Sequence, residues 1–278
     1  MKTGIRWIFF TITAFSLAML WSYSDTEAGK AKGQKLALSS KMYKELISRD
    51  LKVIEKSLGT KKLAEVDRAR VSAAMIVAYT MNLGDKVGNP EGVRAAALKL
   101  SAALTDNNQA EARKLIKAIA GLKGIESAKE EKINFKSLIL DDDHLMLAFE
   151  MKEKGGDPLH PDLQVSKRLQ GSQEGIENFI NYLARRPLRD TYMKKAAKEI
   201  VPLGYWISVS GDVTLHLKPR VKKGKDDADV WSKTAIQMRD AGVDLAEAAA
   251  KMDADALNKA AANLQASCLA CHRIYRVE

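Results

Sequence analysis

Cys268, Cys271 and His272 are the residues of this sequence whose types and spacing are best suited to chemistry. The two cysteines are the only ones in 278 residues, and the imidazole follows the second directly. Positions three and four apart share one face of a helix, so two sulfurs and a ring nitrogen would project together. Thiols so placed can form thioethers to the two vinyl groups of a haem while the imidazole reaches its iron. Other uses of the pair fit less well. A redox C-x-x-C takes a lowered thiol pKa from a helix N-terminus in a βαβ setting, whereas this pair closes a helical pattern. A zinc site needs further Cys or His ligands with their own spacing, and there is no third cysteine. A disulfide across so short a loop gains little loop entropy. One covalent haem c with its iron is the cofactor this reading predicts.

The element that must position the motif is the last helical pattern. Asp253 can cap it, Asp255 suits its first turn, and Leu257, Ala261, Leu264, Cys268, Cys271 and Tyr275 recur on one stripe. Before it, Trp231, Thr234, Met238, Leu245, Ala249 and Met252 mark another helix. A longer pattern runs from Met193 to Leu217 with Pro202 inside, where a kink is expected. From Ile133 to about Lys154, Phe135, Leu138, Leu145, Met146 and Phe149 read as one long helix. Leu163 to Arg186 reads as one or two lesser helices broken near Gly171.

The first part of the chain repeats this style in shorter pieces. Helices are predicted from Ser39 or Ser40 to Leu58, from Lys61 to Asn82, from Pro90 past Leu104, and from Gln109 to Leu122. Strand-type alternation is nearly absent. The expected fold class is all-α, in two successive helical bundles at residues 36–122 and 133–278, with an inserted helical segment at 156–187 and a boundary in the charged stretch Gly121 to Lys132.

Lys2 and Arg6 precede an apolar run from Trp7 to Leu20, followed by small and polar residues to Ala28. Residues 1–28 therefore read as a signal peptide, and the rest as exported, to the periplasm or beyond. Membrane association is expected only if that segment is retained. The formal charge of +10 would draw an acidic partner protein. Nucleic acid is not an expected partner, because the basic residues are interleaved with acids rather than grouped around aromatics.

The run Cys268-Leu-Ala-Cys271-His272-Arg-Ile-Tyr275-Arg276, at the end of an Ala-rich pair of amphipathic helices, resembles the C-terminal signature of the cytochrome c′ family. The resemblance covers about residues 133–278 and implies a four-helix bundle with haem wedged between its helices near one end. It implies that Cys268 and Cys271 hold the haem, that His272 is the proximal iron ligand, and that Arg276 lies beside the haem edge or a propionate. In low-spin relatives a methionine of the first helix takes the sixth iron position, and in five-coordinate ones an apolar side chain leaves it open to gases such as nitric oxide.

Met146 is the candidate sixth ligand, against the plainer reading as a core methionine, with Met151 and Met193 behind it. His144, His160 and His216 read as solvent or loop residues rather than ligands. Tyr205 and Trp206 suit either a porphyrin face or ordinary core packing, and Asp141 to Asp143 a solvated helical turn rather than a calcium site. The expected function is that of an exported monohaem c-type cytochrome carrying single electrons to or from a redox partner protein. The alternative is a five-coordinate haem protein that binds or senses small gases. No catalytic constellation is visible, so an enzyme is not expected. The first bundle is expected to serve docking or dimerisation.

Overall fold

The computed structural model describes residues 38–60, 62–83, 88–124, 133–135, 138, 142–149, 175–217 and 227–275. Among the described residues there are nine helices and no strand beyond an isolated bridge between Leu38 and Leu83, which makes the fold all-α. The signal-peptide reading of residues 1–28 lies outside the described residues, as do Asp141, Met151, His160 and Arg276.

The first four helices are α1 (Ser40–Ser57), α2 (Leu63–Met81), α3 (Pro90–Thr105) and α4 (Gln109–Ala120). Their starts follow from capping. Ser39 accepts from Met42 N at 3.3 Å, Asn89 from Gly92 N at 2.9 Å with Pro90 in the first turn, and Asn108 from Glu111 N at 3.2 Å. Each satisfies an amide that has no partner within its helix. The four close into a ring, α1 against α2, α2 against α3, α3 against α4, and α4 back on α1.

The remaining helices are α5 (Asp142–Leu147), α6 (Ile176–Arg185), α7 (Asp190–His216), α8 (Asp227–Lys251) and α9 (Ala254–Tyr275). Here the structure corrects the sequence reading: α5 ends at Leu147, and Ala148 and Phe149 turn away instead of continuing toward Lys154. Glu177 N donates to Phe149 O at 3.1 Å, so the end of α5 abuts the start of α6. α6 packs along α9. It falls within the segment 156–187 that the sequence reads as helical.

α7 runs through Pro202, as its periodicity requires, and crosses α8 at backbone contact distance. A Cβ on Gly242 would lie 2.6 Å from Ser208 N, and one on Gly204 would lie 2.7 Å from Ala246 N. Only glycine allows two helices this close. Farther along, Trp231 Nε1 donates to Thr214 O at 3.0 Å and ties the start of α8 to the end of α7.

Residues 36–278 form one compact unit, and a single hydrophobic core runs through both rings of helices. α2 is the shared element. Every residue from Val71 to Tyr79 is buried, because α2 packs on α1 and α3 on one side and on α5 and α7 on the other. A helix that is apolar all round is one with no solvent face.

Candidate functional site

The site is built on α9. Asp253 Oδ1 accepts from Ala256 N at 2.9 Å and starts the helix, and Leu257, Ala260, Ala261 and Leu264 bury its stripe. Two polar contacts fix its register against α6: Gln265 Nε2 donates to Asn181 Oδ1 at 2.8 Å, and Asn258 Nδ2 to Leu183 O at 2.6 Å. The helices run antiparallel, so the far end of α9 is carried to the start of α6. At the helix end Tyr275 is buried edge-on against Trp231, ring centroids 5.0 Å apart.

Between these anchors stand Cys268, Cys271 and His272, each partly buried, with both cysteines packed against the core. No disulfide joins the two cysteines. Leu269, between them, is 56% exposed and marks the solvent side of the motif. Burial pushes the Cys268 thiol up to about 12 from its ordinary 9.0; the Glu177 carboxylate at the start of α6 and Cys271 add to the shift. This is the reverse of a redox-active or metal-binding thiol, whose pKa is lowered. Among the described residues no group of three or more His, Cys, Asp or Glu side chains could hold a metal ion.

The donor set fits a covalently attached porphyrin. A thioether carries no charge and suits the desolvated setting that keeps the Cys268 thiol neutral, and the imidazole stands beside the second sulfur on the same helix. Residues 191–276 match the family model for cytochrome C′. The C-terminal region is cytochrome C′-like. The match takes in α8, α9 and all but the first residue of α7, and it reaches Arg276; α5 and α6 lie before it. That family implies a haem c with iron as cofactor. No curated protein and no solved structure matches the chain.

The other residues singled out in the sequence fall as follows. Met146 lies in α5, partly buried against the core, on a helix that packs on α2; the helix along α9 is α6, which buries Ile176, Phe179, Ile180 and Leu183. Met193 is buried in the first turn of α7. Gly204 and Gly211 meet α8 at Ala246 and Arg239, so Met193 sits at the end where α8 turns into α9, away from the cysteines. His216 is exposed and stacks on Phe135, centroids 5.4 Å apart. His144, Asp142 and Asp143 stand in α5.

Trp206 packs toward the first ring of helices, 5.1 Å from Phe149 and under Arg49 at 5.9 Å. Core packing thus accounts for it. Tyr205 is partly buried against the same core, its hydroxyl pKa raised by burial and by Glu247. The helix read between Gly171 and Arg186 is α6, whose apolar spacing Ile176, Phe179, Ile180, Leu183 is a clear helical stripe; its packing along α9 had no signal in the sequence.

Proposed function

We propose that this chain is an exported monohaem c-type cytochrome that passes single electrons to and from a redox partner protein. The observation that carries the reading is the placement of Cys268, Cys271 and His272 on the inward-packed end of α9, within the region that matches the cytochrome C′ family. Haem held there supplies a one-electron iron couple. Cys268 and Cys271 would fix the porphyrin through their sulfurs, so that it is not lost outside the cell. His272 would offer its ring nitrogen to the iron. The buried stripe of α9 and the apolar face of α6 would exclude water, and burial and axial ligation are the two levers by which a protein sets haem potential. Arg276, within the matched region, would offset propionate charge. With a charge of +10, the partner is an acidic protein. No helix among the described residues is long and apolar enough to cross a membrane. Its role is that of a carrier rather than an enzyme.

The test is optical and mass spectrometric. The chain, produced in a host with c-type haem maturation, should carry one added porphyrin mass and show a c-type α-band on reduction. A chain without that mass ends the proposal.

One observation favours the second reading, a gas-binding haem protein. The described residues of α6, the helix packed along α9, offer Ile176, Phe179, Ile180 and Leu183 and no methionine or histidine. A high-spin ferrous spectrum that shifts on adding carbon monoxide or nitric oxide selects this reading. A low-spin spectrum that Met146→Ala converts to high-spin selects electron transfer with Met146 as the sixth ligand.

A further inference from the structure

The turn that launches α9 occurs twice in this molecule. At the α8–α9 junction Met252 has φ +56°, its N–H donates to Ala249 O at 3.1 Å, Asp253 N donates to Ala248 O at 3.0 Å, and Leu257 N to Asp253 O at 3.0 Å. At the α3–α4 junction Asn107 has φ +52°, its N–H donates to Leu104 O at 3.3 Å, Asn108 N to Ala103 O at 2.8 Å, and Ala112 N to Asn108 O at 3.0 Å. Asn108 and Asp253 then cap their helices through the same side-chain oxygen contact.

The burial pattern on both sides keeps the same register. Val93, Ala96, Ala97, Leu100, Ser101 and Leu104 of α3 are buried where Met238, Ala241, Gly242, Leu245, Ala246 and Ala249 of α8 are. Ala112, Leu115, Ile116 and Ile119 of α4 correspond in the same way to Leu257, Ala260, Ala261 and Leu264 of α9.

The second helices correspond as well. α2 and α7 end in the same bond, Asn82 N to Tyr79 O and Leu217 N to Thr214 O, both 3.1 Å. Counted back from the helix ends at Met81 and His216, Met75 and Ser210 are equivalent positions. They touch each other, Ser210 Oγ to Met75 Sδ at 3.7 Å. The neighbouring contacts are reciprocal: α2 also meets α5, which precedes α7 in the chain, while α7 meets α1, which precedes α2. A position that contacts its own counterpart, flanked by reciprocal contacts, is the signature of a two-fold interface.

We infer that residues 36–122 are a second copy of the haem-bearing bundle, fused so that they fill the place of a dimer partner on α7. The copy has lost the site and kept the interface. Gly121 ends α4, and Lys123, Glu126 and Ser127 stand in sequence where Cys268, Cys271 and His272 stand in the second copy. The first bundle is then not a free docking module, and the chain acts as a monomer. The haem count rests on the proposed function; the interface does not, since it can be read on the haem-free chain.

The experiment uses the full mature chain. Sedimentation equilibrium should give the mass of one chain at micromolar concentration, and a dimer overturns the inference because the partner's place would then be open. Met75→Cys with Ser210→Cys, oxidised, should link within one chain. Chains linked in pairs, or a folded double variant that does not link, overturn it. Should the double variant not fold, hydrogen exchange on the unaltered chain decides: amide protection in α2 should fall within about tenfold of that in α7. Exchange of the whole of residues 36–122 while α7 to α9 stay protected would show two independent bodies and overturn it.

Discussion

Gly242→Ala puts opposing effects against each other at the helix crossing that braces the site. In an ordinary helix the change gains about 1 kcal/mol, because alanine is the better helix former. Here the new methyl would stand 2.6 Å from Ser208 N, 2.8 Å from Gly204 O and 3.0 Å from Ser208 Cα. All three are backbone atoms, which no rotamer change can move aside. Ordinary contact begins near 3.4 Å, so α7 and α8 must separate by several tenths of an ångström. Overpacking of this kind costs about 1–3 kcal/mol. The net expectation is a loss of up to about 2 kcal/mol, or a melting temperature lower by up to about 8 °C for a unit of this size. Thermal unfolding followed by far-ultraviolet circular dichroism reads it directly, with Ala97→Gly at the corresponding place in α3 as the control. Ala97 already carries a Cβ there, so its removal should cost only the propensity difference, about 1 kcal/mol. A Gly242→Ala protein that melts higher than the parent would refute the close approach.

Four further outcomes are expected. Met252→Gly should stabilise the chain by about 1 kcal/mol, because Met252 holds φ +56° without a glycine's freedom; chemical denaturation measures it. Asp253→Ala should cost about 1 kcal/mol by removing the cap of α9, with the loss read as earlier thermal release of the helix. Tyr79→Phe removes the hydroxyl that donates to the buried Asp50 carboxylate at 2.5 Å and should cost about 2–3 kcal/mol, seen as a lower urea midpoint. In the haem-free chain, the raised Cys268 thiol favours the folded state in its neutral form. That stability is whole below pH 9, the unfolded value, and drains away as pH climbs through about 12. Denaturation midpoints falling more steeply across that window in chains that retain Cys268 than in Cys268→Ala, where the raised Tyr43 hydroxyl still contributes, and slow Cys268 alkylation at pH 9, would bear it out.

Much of the frame was legible before any coordinates. Helix starts at Ser39, Pro90, Asn108 and Asp253 could be read because a capping side chain and an apolar stripe state the same boundary twice. The candidate haem-attachment residues were legible for a similar reason: two residue types, Cys and His, at one spacing suit that chemistry. What could not be read was tertiary. The single-helix reading of Ile133 to Lys154 followed a true periodicity, but the bond from Glu177 N to Phe149 O, which joins α5 to α6, links residues far apart in sequence. The internal copy was hidden for a related reason. Asn107 and Met252 share a backbone angle and Ala97 and Gly242 share a burial site, yet neither pair shares a residue type. Geometry was retained where chemistry was free to drift.

Because the Val71–Tyr79 stretch of α2 has no face toward water, the helices on its two sides cannot come apart without laying bare each other's interior. Heating should therefore melt residues 36–278 in one step, with equal calorimetric and van't Hoff enthalpies. The cysteine-bearing end of α9 is then steadied in part by helices on the other side of α2.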